Sequence, residues 1–427
     1  MFWLVETKEQ LEMFYLNEYK EVFVEIIPFH NHIHPVLNNV SLIYIRPLID
    51  TKGYIICVDH SETLSIGETY IKRLFQQLDT IYIRDKKSFL YYFQLNKVID
   101  ISSIKYVETP QLPIFDIFYR QQPNKTDINR IIPIVKHYEV CENIYNQLKE
   151  TLSSPKPEYV KFYNKGALAF FGIEKNGIKV DLNKFYKFYE PNNDFYSISK
   201  NTIYTQYNLN TTTRRPSNTF NGINFAALHK NNHSRASLIP SNNEFIEIDI
   251  SAYHPTLAGR LIDYTFNNHD IHSEFAKLYD VSYSEAKELT FKQLYGGIFQ
   301  EYQHLEFFQK IQTYIDKQWK LFNKQGYIEA PISGYRFEKD KLDNMNPQKL
   351  FNYILQNMET SVNIQILLKI HKILLGKYSK IVLYTYDSFL IDWDEDEEEE
   401  LEQIKDIFKE MNLSIKINKG KNYDFKH

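Results

Sequence analysis

The chain has 427 residues and a mass of 51.1 kDa, a length that suits two or three domains. Its 43% hydrophobic and 24% charged residues exclude wholesale disorder, and no apolar run reaches the roughly 18 residues of a membrane-spanning helix, so no membrane partner is expected. A net charge of -4 excludes a bulk basic footprint, so any polyanion must be met by local positive charge. The two cysteines, Cys57 and Cys141, sit far apart, which excludes a disulfide scaffold or zinc cluster and points to a reducing, intracellular setting. Residues Met1 to Gln10 carry acids and lack a basic–apolar–small pattern, so no signal peptide is expected.

In chain order, residues 20–60 alternate in a β-rich pattern. Val22–Ile27, Leu42–Ile45 and Tyr54–Val58 read as strands, punctuated by Pro28, Pro35, Pro47 and Gly53. Helices are expected around Tyr70–Gln77 and Ser88–Leu95, with a strand over Ile81–Ile83 between them. This α/β region is expected to end near Pro110, and a polar stretch from Arg120 to Asn129 reads as a linker. Residues 131–190 read as helical, interrupted by Ser153-Ser154-Pro155-Lys156-Pro157. Residues 200–240 are rich in Asn, Thr and Ser. From Pro155 to Ser237 there are twelve Lys/Arg against five Asp/Glu, interleaved with Tyr and Phe. Such a surface suits phosphates and stacked bases, although a solvated face of lysines gives the same pattern. The acidic run Asp394–Glu400 reads as the start of an exposed helix continuing through Ile404 and Phe408.

The C-terminal half is the most informative. Phe245–Ile250 alternates with period two, with Ile246, Ile248 and Ile250 on one face and Glu247 and Asp249 on the other. Pro255 follows, so Asp249 lies near the strand end. Lys380–Asp392 reads as two short strands with Tyr386-Asp387-Ser388 at the reversal. Two carboxylates at strand ends of one sheet could hold two magnesium ions roughly 3.5–4 Å apart. Either acid alone reads more simply as a solubilising strand terminus. Between them, Ser282 and Glu285 form a capping box ahead of a helix whose Lys287, Phe291 and Tyr295 share one face. A cation followed by two aromatics suits a nucleotide, while a core stripe with Lys287 extended to solvent is the alternative. With only 13 glycines in the chain, Gly296-Gly297 reads as the stop of that helix.

Taken in order, these segments resemble the polymerase part of family A DNA polymerases, the DNA polymerase I family, and most of all its compact phage members. Asp249–Pro255 resembles motif A, Lys287–Gly296 resembles motif B, and Tyr386-Asp387-Ser388 stands at motif C. Asp270-Ile271-His272 precedes motif B as it does in that family. Thr213–Asn218 resembles the primer–template segment, with Arg215 on its arginine and Arg214 beside it. Leu355–Thr360 resembles the helix that carries a glutamine, here Gln356, to the minor groove. Gly172–Asp181 resembles the segment leading into the thumb.

The resemblance implies an α/β fold with a right-hand palm and fingers, a reduced thumb, and an N-terminal exonuclease-like, RNase H-like α/β domain. The implied domains are 1–125, exonuclease-like; 126–200, a helical connector and stunted thumb; and 201–427, palm and fingers. The implied reaction is template-directed extension of a primer 3′-hydroxyl with dNTPs. Asp249 and Asp387 would bind two magnesium ions, with manganese as the alternative. Lys287 would contact the triphosphate. Phe291, Tyr295, His254 and Tyr253 would line the nucleotide site, and Arg215, Arg214 and Gln356 would hold the DNA template–primer. The implied setting is the cytoplasm of a bacterial host, for a phage or mobile-element protein working with a processivity factor or other replication protein.

Several positions depart from the family pattern. Tyr283 replaces the fingers arginine, unless Lys292 or Arg260 takes that place. His254 stands where many relatives have a sugar-gating glutamate, and Ser388 replaces the motif C glutamate. The stretch between Tyr189 and Lys200 is short where relatives carry a long thumb. In the N-terminal region Glu25 matches the first exonuclease acid, but Ile27 cannot replace the second, and Arg84, Asp85 and Asp100 do not restore a four-acid cluster. An exonuclease-like domain without proofreading is therefore expected. The competing readings are a primase-like or single-subunit RNA polymerase and a non-catalytic, polymerase-derived DNA-binding subunit.

Overall fold

The computed structural model describes every residue except 1, 17–18, 32, 96, 105–126, 190–197, 200, 219–222, 226–227, 229–231, 268–269 and 426–427. The expected domain end near Pro110, most of the expected linker and most of the Tyr189–Lys200 stretch lie outside the described residues. The chain divides into two compact units. One is Met1–Phe171 with Asn193–Lys200 and Tyr204–Gln206; the other is Gly172–Asn192, Asn201–Ile203 and Tyr207–His427. Among the described residues no helix is long and apolar enough to cross a membrane.

In the first unit the chain runs β1 (Trp3–Val5), α1 (Lys8–Leu16), β2 (Glu21–Pro28), β3 (Val40–Pro47), β4 (Tyr54–Cys57), α2 (Glu68–Gln77), β5 (Thr80–Ile83), α3 (Lys86–Phe93) and β6 (Val98–Asp100). It continues into α4 (Ile134–Ser153) and α5 (Glu158–Glu174), separated by the expected proline-containing break. The six-stranded sheet has the order β1-β4-β3-β2-β5-β6. Counting β2 to β6 as strands 1 to 5, the order is 3-2-1-4-5 with strand 2 antiparallel, the expected RNase H-like arrangement.

The central strands are largely apolar, with exceptions that include Glu25, Ser41 and Arg46, because both sheet faces are covered. Val22, Val24, Ile43, Ile45 and Ile56 pack in one layer with Ile71, Phe75 and Phe89 of α2 and α3. The alternate residues Phe23, Leu42, Tyr44, Ile55 and Cys57 pack in the other with Cys141, Ile144 and Leu148 of α4. Both cysteines are buried and free.

The second unit is built on a four-stranded antiparallel sheet. Its strands are β7 (Glu244–Ile250), β8 (Lys380–Tyr384), β9 (Ser388–Trp393) and β10 (Ile415–Gly420), in the order β8-β9-β7-β10. Between β7 and β8 come α6 (Tyr253–Leu261), α7 (Ile271–Tyr279), α8 (Tyr283–Gly296), α9 (Glu306–Gln325) and the long α10 (Pro347–Ile373); α11 (Glu398–Glu410) precedes β10. The Ser282/Glu285 capping box starts α8, and the helix ends at Gly296, where Gly297 takes a φ of 110° that favours glycine.

The acidic run is only partly the exposed helix start expected. Glu397 is buried, and its carboxylate accepts the backbone N–H groups of Tyr378 and Ser379 at 2.8 and 2.9 Å. Glu400 pairs with Lys377. A carboxylate that accepts two amides is worth burying, so the run fastens the turn before β8 as well as facing water.

Candidate active site

The two strand-end acids meet. Asp249 lies opposite Ser388 in the β7–β9 register, and the Ile250 N–H donates to the Asp387 carbonyl at 2.8 Å. Asp249 and Asp387 therefore leave adjacent strand ends side by side, and both line one cavity of about 630 Å³. Asp387 precedes Ser388, the register partner of Asp249, so the two carboxylates belong to neighbouring positions on paired strands and open on the same cavity.

Each acid follows or precedes a strained turn. The Thr385 N–H donates to the Ser388 carbonyl at 3.0 Å and the Asp387 N–H to the Thr385 carbonyl at 2.9 Å, with Tyr386 at a φ of 70° between them. After β7, Ala252 takes a φ of 47° at the N-cap of α6. Non-glycine residues in the left-handed region cost of order 1–3 kcal/mol and persist where the surroundings over-determine them.

The shared face of α8 forms a second wall. Lys287, Phe291 and Tyr295 all line the cavity, and the Phe291 and Tyr295 rings lie parallel within 7° at 6.2 Å. His272 and Tyr283 complete this wall, their rings edge-on at 5.8 Å. Burial lowers the His272 imidazole, and the neighbouring Lys287 ammonium lowers it further, so His272 is neutral at physiological pH.

The third side comes from α10, α6 and the segment before β7. His254 is buried; its Nδ1 contacts the Tyr295 hydroxyl, and its Nε2 stands 3.3 Å from Glu359 Oε1. Arg215 Nε lies 2.8 Å from Glu359 Oε2 as an ion pair off the line of a hydrogen bond, while Nη2 donates to Oε1 at 3.4 Å. The Arg215 guanidinium also stacks over the Tyr386 ring at 3.8 Å. Burial alone would raise the Glu359 carboxyl, but His254 and Arg215 together hold it below its usual range. Burial pushes the Tyr295 phenol well up, and Glu359 adds to this. The buried Tyr253 hydroxyl donates to Asn363 Oδ1 at 2.8 Å.

Of the ten residues singled out in the sequence, eight line this cavity: Asp249, Asp387, Lys287, Phe291, Tyr295, His254, Tyr253 and Arg215. Arg214 and Gln356 do not. Arg214 takes a φ of 62°, which turns its buried side chain onto Asn210 Oδ1 at 2.8 Å and over the Tyr335 ring at 4.5 Å. Gln356 sits on α10 one turn before Thr360 and half-buried. Neither stand-in for the fingers arginine reaches the cavity. Lys292 pairs with Glu288 on the exposed face of α8, and Arg260 donates to the Met411 and Asn412 carbonyls.

Four further charged side chains, outside those ten, also line the cavity: Arg235, Glu247, Lys416 and Glu359. Glu247 shares a strand face with Asp249 and accepts from Asn418 Nδ2 at 2.9 Å and Ser388 Oγ at 3.4 Å. Lys416 lies opposite Asp249 in the β7–β10 register. The legible signal for Glu359 was its place among Asn357, Thr360, Ser361 and Asn363, a polar stretch buried in the middle of an apolar helix.

Two aspartates facing a polar cavity form a hard-oxygen donor set that fits magnesium, which is held by one or two carboxylates together with water and phosphate oxygens. Among the described residues no group of three or more His, Cys, Asp or Glu side chains is arranged for a metal.

No protein-family model and no curated protein sequence matches the chain. Among solved structures, the chain is similar to the POL domain of Pol1 from M. smegmatis in complex with DNA primer-template and dNTP. The TM-score is 0.71 at 16% sequence identity, over 99% of this chain and 99% of that one. The mixed α/β architecture is thus that of a polymerase domain, as expected from the sequence.

Proposed function

We propose that this chain is a template-directed DNA polymerase that extends a primer 3′-hydroxyl with nucleoside triphosphates. The observation that carries the reading is the convergence of Asp249 and Asp387, from two strand ends 138 residues apart in sequence, on one cavity walled by Lys287, Phe291 and Tyr295. Asp249 and Asp387 would hold the divalent ions. Those ions, when bound, lower the pKa of the attacking hydroxyl and stabilise the leaving pyrophosphate. The 3′-oxygen forms the new bond to the α-phosphorus, and the bond to the α–β bridging oxygen breaks. Lys287 Nζ would neutralise the triphosphate and give the leaving oxygen a proton. Phe291 and Tyr295 offer parallel rings to base and sugar. Arg215 presents a guanidinium to the template–primer. The bound primer-template and dNTP of the M. smegmatis structure support this choice of ligands.

In the first unit, Arg84 supports the absence of proofreading. Its Nε lies 2.5 Å and its Nη2 3.0 Å from the Glu25 carboxylate, so a cation already occupies the one acid of the expected series. Asp100 is engaged by the Lys86 and Ser102 N–H groups at 3.0 and 2.8 Å.

The test is primer extension with magnesium and each nucleotide type. Asp249→Asn and Asp387→Asn each lower extension by at least about a thousandfold, roughly 4 kcal/mol of barrier, with duplex affinity nearly unchanged. Extension by either variant at near wild-type rate refutes the assignment. Unprimed template with ribonucleotides separates this activity from a primase-like one.

A further inference from the structure

One fully buried acid has no part in the reaction above. Glu359 is 1% exposed, and an isolated carboxylate at such a site is costly unless paired. The carboxylate serves both sides of the cavity. Oε1 faces His254 Nε2 at 3.3 Å and also accepts from Arg215 Nη2 at 3.4 Å, and Oε2 faces Arg215 Nε at 2.8 Å.

The hydrogen-bond polarity follows from the donor inventory. An ionised carboxylate only accepts, so His254 Nε2 carries the proton. On the far side of the ring Nδ1 contacts the Tyr295 hydroxyl. Glu359 thus holds the imidazole that meets Tyr295. On its other side the Arg215 side chain keeps 32% of its surface exposed and stacks on Tyr386, so the same guanidinium can be shared with a ligand. A ligand that draws Arg215 away leaves the carboxylate to His254, and a ligand that moves Tyr295 or His254 returns it to Arg215. Two sites that bias one group are coupled, and the coupling is reciprocal.

We propose that Glu359 is a positioning residue that ties the nucleotide side of the site to the template–primer side, through one carboxylate shared by His254 and Arg215. This rests on the polymerase reading for what each side binds.

The test is single-nucleotide incorporation by the full chain. In Glu359→Gln the nucleotide KM rises about fivefold or more and duplex affinity falls about threefold or more, with a smaller change in kcat. In the wild-type background Arg215→Ala and His254→Ala combine non-additively in KM by about fivefold or more, and in the Glu359→Gln background they combine within about twofold. Additivity in the wild type, or non-additivity that survives without Glu359, overturns the proposal. Arg215→Lys serves if Glu359→Gln does not fold. It keeps the charge but loses the fork, and the nucleotide KM then rises about threefold or more; an unchanged KM overturns the shared anchor. If the wild type extends no primer, the polymerase reading falls. The same cycle is then read on binding of labelled duplex and of a nucleoside triphosphate, where loss of both on Glu359→Gln sustains the anchor and loss of neither overturns it.

Discussion

Asn363 joins the two carboxylate-bearing segments through one buried amide. Its Nδ2 donates to the Tyr386 carbonyl at 2.6 Å and to the Tyr384 hydroxyl at 2.8 Å, and its Oδ1 accepts from the Tyr253 hydroxyl at 2.8 Å. Tyr386 immediately precedes Asp387, and Tyr253 lies four residues after Asp249. Asn363→Leu keeps the volume and removes all three bonds. Each polar group left buried without a partner costs about 1–3 kcal/mol. Tyr253 keeps a long contact to the Glu359 carbonyl at 3.4 Å, so the low end applies to it. The sum is about 3–7 kcal/mol, a large share of a stability of about 5–15 kcal/mol, and lowers the unfolding midpoint by roughly 6–28 °C. The Tyr386 turn also loses the bond that holds its left-handed backbone, so Asp387 shifts. A displacement of about 1 Å at such a site costs about a hundredfold in rate. Thermal unfolding and primer extension well below the new midpoint read the two effects separately. If Asn363→Leu unfolds within about 1 kcal/mol of wild type, or extends primers within about threefold of it while folded, the reasoning fails.

In Lys287→Ala, loss of the ammonium facing the triphosphate raises the nucleotide KM by about tenfold, roughly 1.4 kcal/mol, and steady-state kinetics against nucleotide concentration checks it. Arg84→Ala leaves the Glu25 carboxylate buried and unpaired, which destabilises the chain by about 3–5 kcal/mol; urea unfolding shows the Glu25→Ala/Arg84→Ala double variant regaining most of this, and neither variant trims a mismatched primer. The Asp100 residue is partly accessible, but its carboxyl is enclosed, and burial pushes it up to about 6 against the hydrogen bonds from Lys86 and Ser102. A carboxyl raised in the folded state contributes stability that is full below about pH 3.8 and is lost as pH rises through about 6. The difference in stability between wild type and Asp100→Asn therefore changes by at most about 3 kcal/mol across that window, and is flat above it. Equal pH profiles for the two proteins exclude the enclosed carboxyl.

The elements were legible wherever the pattern was purely local. Val22–Ile27, Leu42–Ile45 and Tyr54–Val58 became β2, β3 and β4 within a residue or two, and the break at Ser153–Pro157 separates α4 from α5. The α8 cap, face and stop were all readable because capping chemistry and a four-residue spacing act within one helix. The strand-end acids were readable because alternation marks where a strand stops. What lay beyond the sequence was the partner of each buried charge. Nothing local in Ile354–Asn363 says that Glu359 meets an arginine 144 residues earlier, or that Arg214 and not Arg215 turns inward. Lys292 and Arg260 failed as stand-ins for the same reason: helix phase sent one to Glu288 and tertiary packing sent the other to the end of α11.

The supports of this site are concentrated on α10. Asn357, Glu359, Thr360, Ser361 and Asn363 are all buried on a helix that otherwise carries the core residues Leu350, Ile354, Leu355, Ile366 and Leu367. Each polar side chain there lowers the stability of an apolar helix unless it is satisfied. Thr360 and Ser361 bond within the helix, and the other three reach segments that carry cavity residues. Asn357 holds the Thr213 carbonyl beside Arg215, Glu359 holds Arg215 and His254, and Asn363 holds Tyr253 and Tyr386. The left-handed turns at Ala252 and Tyr386 are strained conformations that two strand ends alone would not retain. Asn363 supplies the missing constraint directly at Tyr386 and, through Tyr253, one residue after Ala252. It follows that substitution of Asn363 acts on activity through the placement of Asp249 and Asp387, while apolar substitutions of equal volume at Leu355 or Ile366 act on stability alone.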